Sequence, residues 1–150
     1  MTNYLQQLAR HGFNWWVNRE TRKAQQKYGF EIGTGEHATW NNESDAFKHA
    51  YMAWHLSWYY GDKKSKELGD MHENETPNAP AYERNMDLWN NEIGREIAYE
   101  MKNKYGDAAG IIGTKWASEI ASEMIWEKMQ RGELITNPIT DRRKYENMEL

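Results

Sequence analysis

The stretch from Glu43 to Tyr60 limits the fold more than any other part of the chain. Ala46, Phe47, Ala50, Tyr51, Ala53, Trp54, Leu56 and Trp58 would place apolar groups on nearly every side of a helix. Such a helix cannot rest with one face in water and must be packed from several directions. Its alanines let neighbouring helices approach closely. Asn42 or Ser44 can cap its start and Gly61 can stop it. The segment therefore predicts a central helix, and the other elements are read as what surrounds it.

Leu5, Leu8, Ala9, Phe13, Trp16, Val17, Ala24 and Tyr28 recur at helical spacing, which predicts a long amphipathic first helix ending at Gly29. Residues 29–42 follow as a loop, and a shorter helix is expected over 62–73. The run from Glu75 to Pro80 holds two prolines and cannot be helical throughout. Asn85 is the expected cap of a fourth helix, with Ile93, Ile97, Met101 and Tyr105 four apart and Gly106 at its end. A fifth helix begins near Thr114, turns Trp116, Ile120, Met124 and Ile125 inward, and stops at Gly132. No strand pattern or internal repeat appears. The expectation is an all-α fold: a compact bundle of about five helices around the central apolar helix 43–60. Residues 1–135 would form one helical domain and residues 136–150 an irregular charged tail.

Composition narrows the function classes. With 150 residues, 39% hydrophobic and 28% charged, the chain suits one globular domain. It has no cysteine, which excludes disulfides, thiolate metal sites and a cysteine nucleophile. A net charge of −4 disfavours a nucleic-acid partner, because phosphate neutralisation calls for a basic face. The basic spots, Lys63–Lys64–Lys66 and Arg142–Arg143–Lys144, are short and read as solvated surface. No run approaches the roughly 18–20 apolar residues of a transmembrane segment, and the first residues lack the order of a secretory signal. The expectation is cytoplasmic synthesis, with any export by a non-classical route, and a methionine start that suggests a complete small protein. Eight tryptophans and nine tyrosines either fill a compact core or offer stacking surfaces to sugars and membranes.

Polar residues stand where a helical core would take apolar ones. Asp45 and His49 are four apart and share a face. Asp87, Asn90, Asn91 and Gly94 make a second stripe, and His72 and Glu73 close the third helix. Gly94 inside a helix costs about 1 kcal/mol relative to alanine, so it marks the close approach of another backbone or of a ligand. Packing the Asp45/His49 face on the Asp87/Asn91 face, with His72 and Glu73 at the rim, gathers two histidines and three carboxylates. Such a set can work as a carboxylate-oriented general base, or bind a divalent metal through two histidines and a carboxylate. It can equally be a buried network that locks helices in register. Thr76 stands where a zinc-protease helix would carry its second histidine, and no serine lies in a nucleophile elbow. Gly33-Thr34-Gly35 is too short for a phosphate loop. His11, His37 and His55 have no partner pattern and read as surface or loop residues.

Three blocks in order carry a resemblance. They are Ser44-Asp45-Ala46-Phe47-Lys48-His49-Ala50-Tyr51, then Gly69-Asp70-Met71-His72-Glu73, then Met86-Asp87-Leu88-Trp89-Asn90-Asn91-Glu92-Ile93-Gly94-Arg95. Together they resemble an uncharacterised all-α bacterial domain family found at the C-termini of polymorphic, repeat-containing toxins and in small stand-alone or phage-borne proteins. The match departs at Lys48, where that family often has arginine, and at Trp89, where histidine or tyrosine is common. The resemblance implies a setting, use against other cells or carriage by mobile elements, and no settled reaction.

On this combined reading the chain is an effector- or toxin-like hydrolase domain. Its catalytic set is His49, Asp45, Asp87, His72 and Glu73. Asn90, Asn91, Arg95, Trp54 and Trp89 bind substrate, and His49, His72 and Asp87 are the ligands of a divalent metal cofactor. The substrate is expected to be a cell-envelope glycan or lipid-linked compound rather than nucleic acid, and the partner an immunity protein. The alternative is a non-catalytic phage or mobile-element protein that binds and inhibits a host target protein, its polar cluster purely structural.

Overall fold

The computed structural model describes residues 4–74, 78–106 and 114–145, with side chains described for 12–69, 78–106 and 115–145. Its five helices are α1 (Tyr4–Tyr28), α2 (Glu43–Tyr60), α3 (Asp62–Asn74), α4 (Ala81–Tyr105) and α5 (Thr114–Gln130), and no strand occurs among the described residues. The fold is an all-α bundle, and α2 is its axis, in contact with each of the other four helices.

Local chemistry sets the bounds of α2. The Asn42 side chain accepts the Asp45 N–H at 3.1 Å, which satisfies a donor that the first turn leaves open. At the far end Gly61 takes φ +91° and donates its N–H to the Ser57 carbonyl at 2.9 Å. The chain turns back at once: α3 runs antiparallel to α2, and the buried Ser65 hydroxyl donates to the Ala53 carbonyl at 3.0 Å.

The closest packing joins α2 to α4, and these two helices are parallel. Asp87 lies level with His49, Gly94 with Ala50 and Lys102 with Ser57. A side chain at Gly94 would overlap the Ala50 carbonyl oxygen and come within 2.8 Å of the Trp54 amide nitrogen. The glycine therefore marks close approach of another backbone, the first of the two meanings its position allows.

Phe47, Tyr51, Trp54, Met86, Ile97, Met101 and Ile125 are buried around this contact. Each large side chain withdrawn from water contributes about 1.5–3 kcal/mol, so the α2 surroundings hold most of the driving force. Polar groups inside it are paired: the Trp54 indole N–H donates to Met101 Sδ at 3.2 Å, and Tyr51 and Ser118 share a hydrogen bond of 2.6 Å.

Three expectations need correction. Trp116, expected to turn inward, is 52% exposed, because the face that α5 buries is the stripe of Ala117, Ala121, Ile125 and Met129. The fourth helix starts at Ala81, one turn before Asn85, with Pro80 at its N-cap in an extended conformation. Proline suits a helix entrance, where its missing N–H costs nothing. Asn85, freed from capping, grips the chain after α5: its amide donates to the Arg143 carbonyl at 2.8 Å and its oxygen accepts the Tyr145 N–H at 2.7 Å. His55 is not a surface histidine. It sits among Phe13, Trp16, Trp54 and Tyr59, with ring centroids 4.5–6.1 Å away.

The segment after α5 is irregular and docked. Leu134, Ile135 and Pro138 are buried, and Asn90 both donates to the Ile135 carbonyl at 2.8 Å and accepts its N–H at 2.9 Å. Arg143, held by Asp141, lies over the Trp89 ring at 5.0 Å. No helix among the described residues is long and apolar enough to cross a membrane.

Candidate functional site

Position 3 and position 7 of α2 place Asp45 and His49 one turn apart on the face turned to α4, and the second turn of α4 brings Asp87 to meet them. His49 Nε2 lies 3.4 Å from Asp45 Oδ1 and 3.2 Å from Asp87 Oδ1. One ligand-type atom from each residue falls within 4.8 Å of the other two. His49 is 5% and Asp45 7% exposed, while the Asp87 side chain, at 18%, is the most open of the three.

The charges are strongly coupled. Burial alone would lower the His49 pKa, but the carboxylate of Asp87, and then that of Asp45, outweigh it and lift it to about 9. Burial would likewise raise Asp45. The hydrogen bond and charge of His49, the ammonium of Lys48 and the N–H of Asn41 win, and hold its carboxyl below the usual range. The two carboxylates thus favour the protonated form of the imidazole. An imidazole that keeps its proton to about 9 is a poor general base near pH 7.

Further contacts fix the two backbones around the cluster. The Asn41 N–H donates to Asp45 Oδ2 at 2.9 Å, and the Asn41 amide donates to Glu83 at the start of α4. Asn91, with its amide oriented to suit its neighbours, donates to the carbonyl oxygens of His49 and Asp87 at 3.3 and 3.2 Å. Gly69 of α3 passes over that amide so closely that a Cβ would stand 3.2 Å from it. Asn91 thus ties α2 to α4 at the level of the cluster, with α3 packed close over it, and it is 1% exposed.

The remaining sequence candidates divide. Trp54 and Asn90 are wholly buried, the first in the core and the second bonded on both sides to Ile135, so neither offers a surface to a ligand. Trp89 and Arg95 line a cleft of about 620 Å³ between α3, α4 and the final segment, together with Lys63, Glu92, Lys144 and Tyr145. Arg95 is ion-paired there to Glu92 and the Trp89 indole donates to the Glu133 carbonyl at 2.8 Å. None of Asp45, His49 or Asp87 lines that cleft. The side chains of His72 and Glu73 lie outside the described residues, as does that of His11.

Sequence reasoning missed a second cleft, of about 420 Å³, between α1, the 29–42 loop and the start of α2, whose lining includes Ser44 and Lys48. The signal was present in the positions flanking Asp45 and His49: residues 44 and 48 are also one turn apart, on the neighbouring face of α2. Lys48 Nζ stands 3.6 Å from Asp45 Oδ1 and so links this cleft to the cluster.

No curated protein and no solved structure matches the chain. A family model does: residues 9–133 match the domain of unknown function DUF6973, which takes in the whole of α2, α3, α4 and α5 and most of α1. With its α2–α4 cluster inside that match, the chain belongs to the DUF6973 family.

Proposed function

We propose that Asp45, His49 and Asp87 form a divalent-cation centre and that the domain is a metal-dependent hydrolase of the effector type. The observation that carries this reading is the convergence of one imidazole and two carboxylates within 4.8 Å, on two helices fixed by close backbone packing. A nitrogen and two oxygen donors suit zinc, manganese or nickel, and three protein ligands leave room for water and substrate. The electrostatics point the same way. Two carboxylates that raise His49 to about 9 attract a cation to the place where the extra proton sits. A divalent ion held there would polarise a substrate carbonyl or phosphoryl oxygen. Asp45 and Asp87 would then act as ligands, Asn91 and Asn41 as groups that fix their backbones, and Lys48 as a cation on the substrate side. The resemblance to toxin-borne domains is consistent with an effector role and with an immunity protein as partner.

The test is elemental analysis of the purified chain. The expected result is about one zinc, manganese or nickel ion per chain, lost in His49→Ala and in Asp87→Asn while circular dichroism stays native. Because His49 must shed its proton to become a ligand, metal uptake releases protons and weakens as the pH falls below about 9.

A second reading is favoured by one specific observation: the three residues line neither cleft, and His49 is 5% exposed. On that reading the cluster is an internal ion network that keeps α2 and α4 in register. It expects no bound metal and a loss of about 3–5 kcal/mol in His49→Ala, from leaving buried carboxylates unpaired. The same samples, analysed for metal and melted, decide between the two.

A further inference from the structure

The smaller cleft differs in chemistry from the larger one. Its lining includes Trp15, Asn18, Arg22, Thr39, Ser44 and Lys48 and, among the described residues, no carboxylate. The larger cleft mixes its cations with Asp62, Glu92 and Glu96. In a chain of net charge −4, a cleft lined by Arg22 and Lys48 and by no carboxylate is favourable to an anion, even with Lys48 shared with Asp45 behind it.

Its other features point to a sugar. Trp15 is 60% exposed; Arg19 lies over one face of its ring at 5.7 Å, which leaves the other face for a ligand. An indole face carries negative charge density, and the C–H bonds on one side of a pyranose ring present the complementary positive edge. Asn18, Thr39 and Ser44 bring amide and hydroxyl groups, which both donate and accept as sugar hydroxyls require. Two cations and a volume of about 420 Å³ suit one or two sugar rings with a single acidic group better than a phosphate backbone, which needs charge at every step.

We infer that this cleft binds an acidic glycan, one whose ring stacks on Trp15 and whose carboxylate is met by Arg22 and Lys48. As a substrate site it rests on the Asp45–His49–Asp87 reading, since Lys48, 3.6 Å from Asp45, is the group common to both. As a binding site it stands without it.

The experiment is calorimetric titration of the full chain, as purified, with N-acetylmuramic acid, N-acetylglucosamine and a short oligouridylate. The two sugars differ by one carboxylate-bearing group. Metal content is assayed separately on the same protein, so failure of the metal centre and failure of the glycan cleft are read independently. The expected result is saturable binding of N-acetylmuramic acid in the roughly millimolar range, about fivefold or more tighter than N-acetylglucosamine. Trp15→Ala, which removes an exposed side chain, weakens both sugars about tenfold or more. Arg22→Gln reduces the difference between them. Absence of sugar binding, equal affinity for the two sugars, tighter binding of the oligouridylate, or a Trp15→Ala variant that binds as wild type would each overturn the proposal.

Discussion

Single residues in this bundle carry more than their own contacts. Gly94→Ala would gain about 1 kcal/mol of helix propensity in an open helix. Here the added methyl meets the Ala50 carbonyl and the Trp54 amide on a rigid neighbour, and overpacking of that kind costs about 2 kcal/mol or more. The expected outcome is net destabilisation, seen as a lower midpoint in urea with the Asp45–His49–Asp87 cluster disturbed alongside. His55 gives a pH test. Burial lowers its pKa to about 4, so the folded state prefers the neutral ring while the unfolded chain protonates near 6.5. Stability is therefore lost as the pH falls from about 6.5 to about 4, by roughly 2 kcal/mol after allowing for partial solvent access. His55→Phe should flatten that acid limb in melts run across the range. His49 acts in the opposite sense, stabilising the fold at low pH and losing that contribution as pH rises through about 9.

At the scale of elements, the helices were legible because caps and periodicity are local signals. Asn42, Gly29, Gly61, Gly106 and Gly132 mark ends in the sequence, and the four glycines take positive φ in the structure. What local reading could not supply was the use of side chains over long separations. Asn85 looks like a helix cap, yet it grips Arg143 and Tyr145, |i−j| = 58 and 60. His55 lacks a polar partner pattern because its surroundings are rings from two helices. The polar stripes on α2 and α4 were legible because i, i+4 spacing fixes a shared face, and Gly94 showed how closely those faces meet. The charge-rich segment after α5 reads as solvated because its anchors are Asn85, Asn90 and Trp89, all on α4. That clamp is testable. Asn90→Ala removes two buried hydrogen bonds to Ile135 and should cost about 2–3 kcal/mol. Limited proteolysis should then cut within residues 136–145 before any helix is lost.

For the molecule as a whole, every helix depends on α2, so no pair of helices has a core of its own. Unfolding is expected to be a single cooperative transition, with far-ultraviolet circular dichroism and tryptophan fluorescence giving coincident curves in urea. Separated curves would mean that α1 or the final segment leaves before the rest. The parallel run of α2 beside α4 bears on how quickly this state is reached. Neighbouring helices usually meet as hairpins, whose partners are close along the chain. Here the partners are about 45 residues apart, as Ser57 and Lys102 are, and α3 must carry the chain back before they can join. Loop closure of that length comes before most of the favourable burial. The bundle should fold more slowly than an antiparallel one of equal size, and its rate-limiting barrier should respond to substitutions in α3 that leave the finished α2–α4 contact untouched.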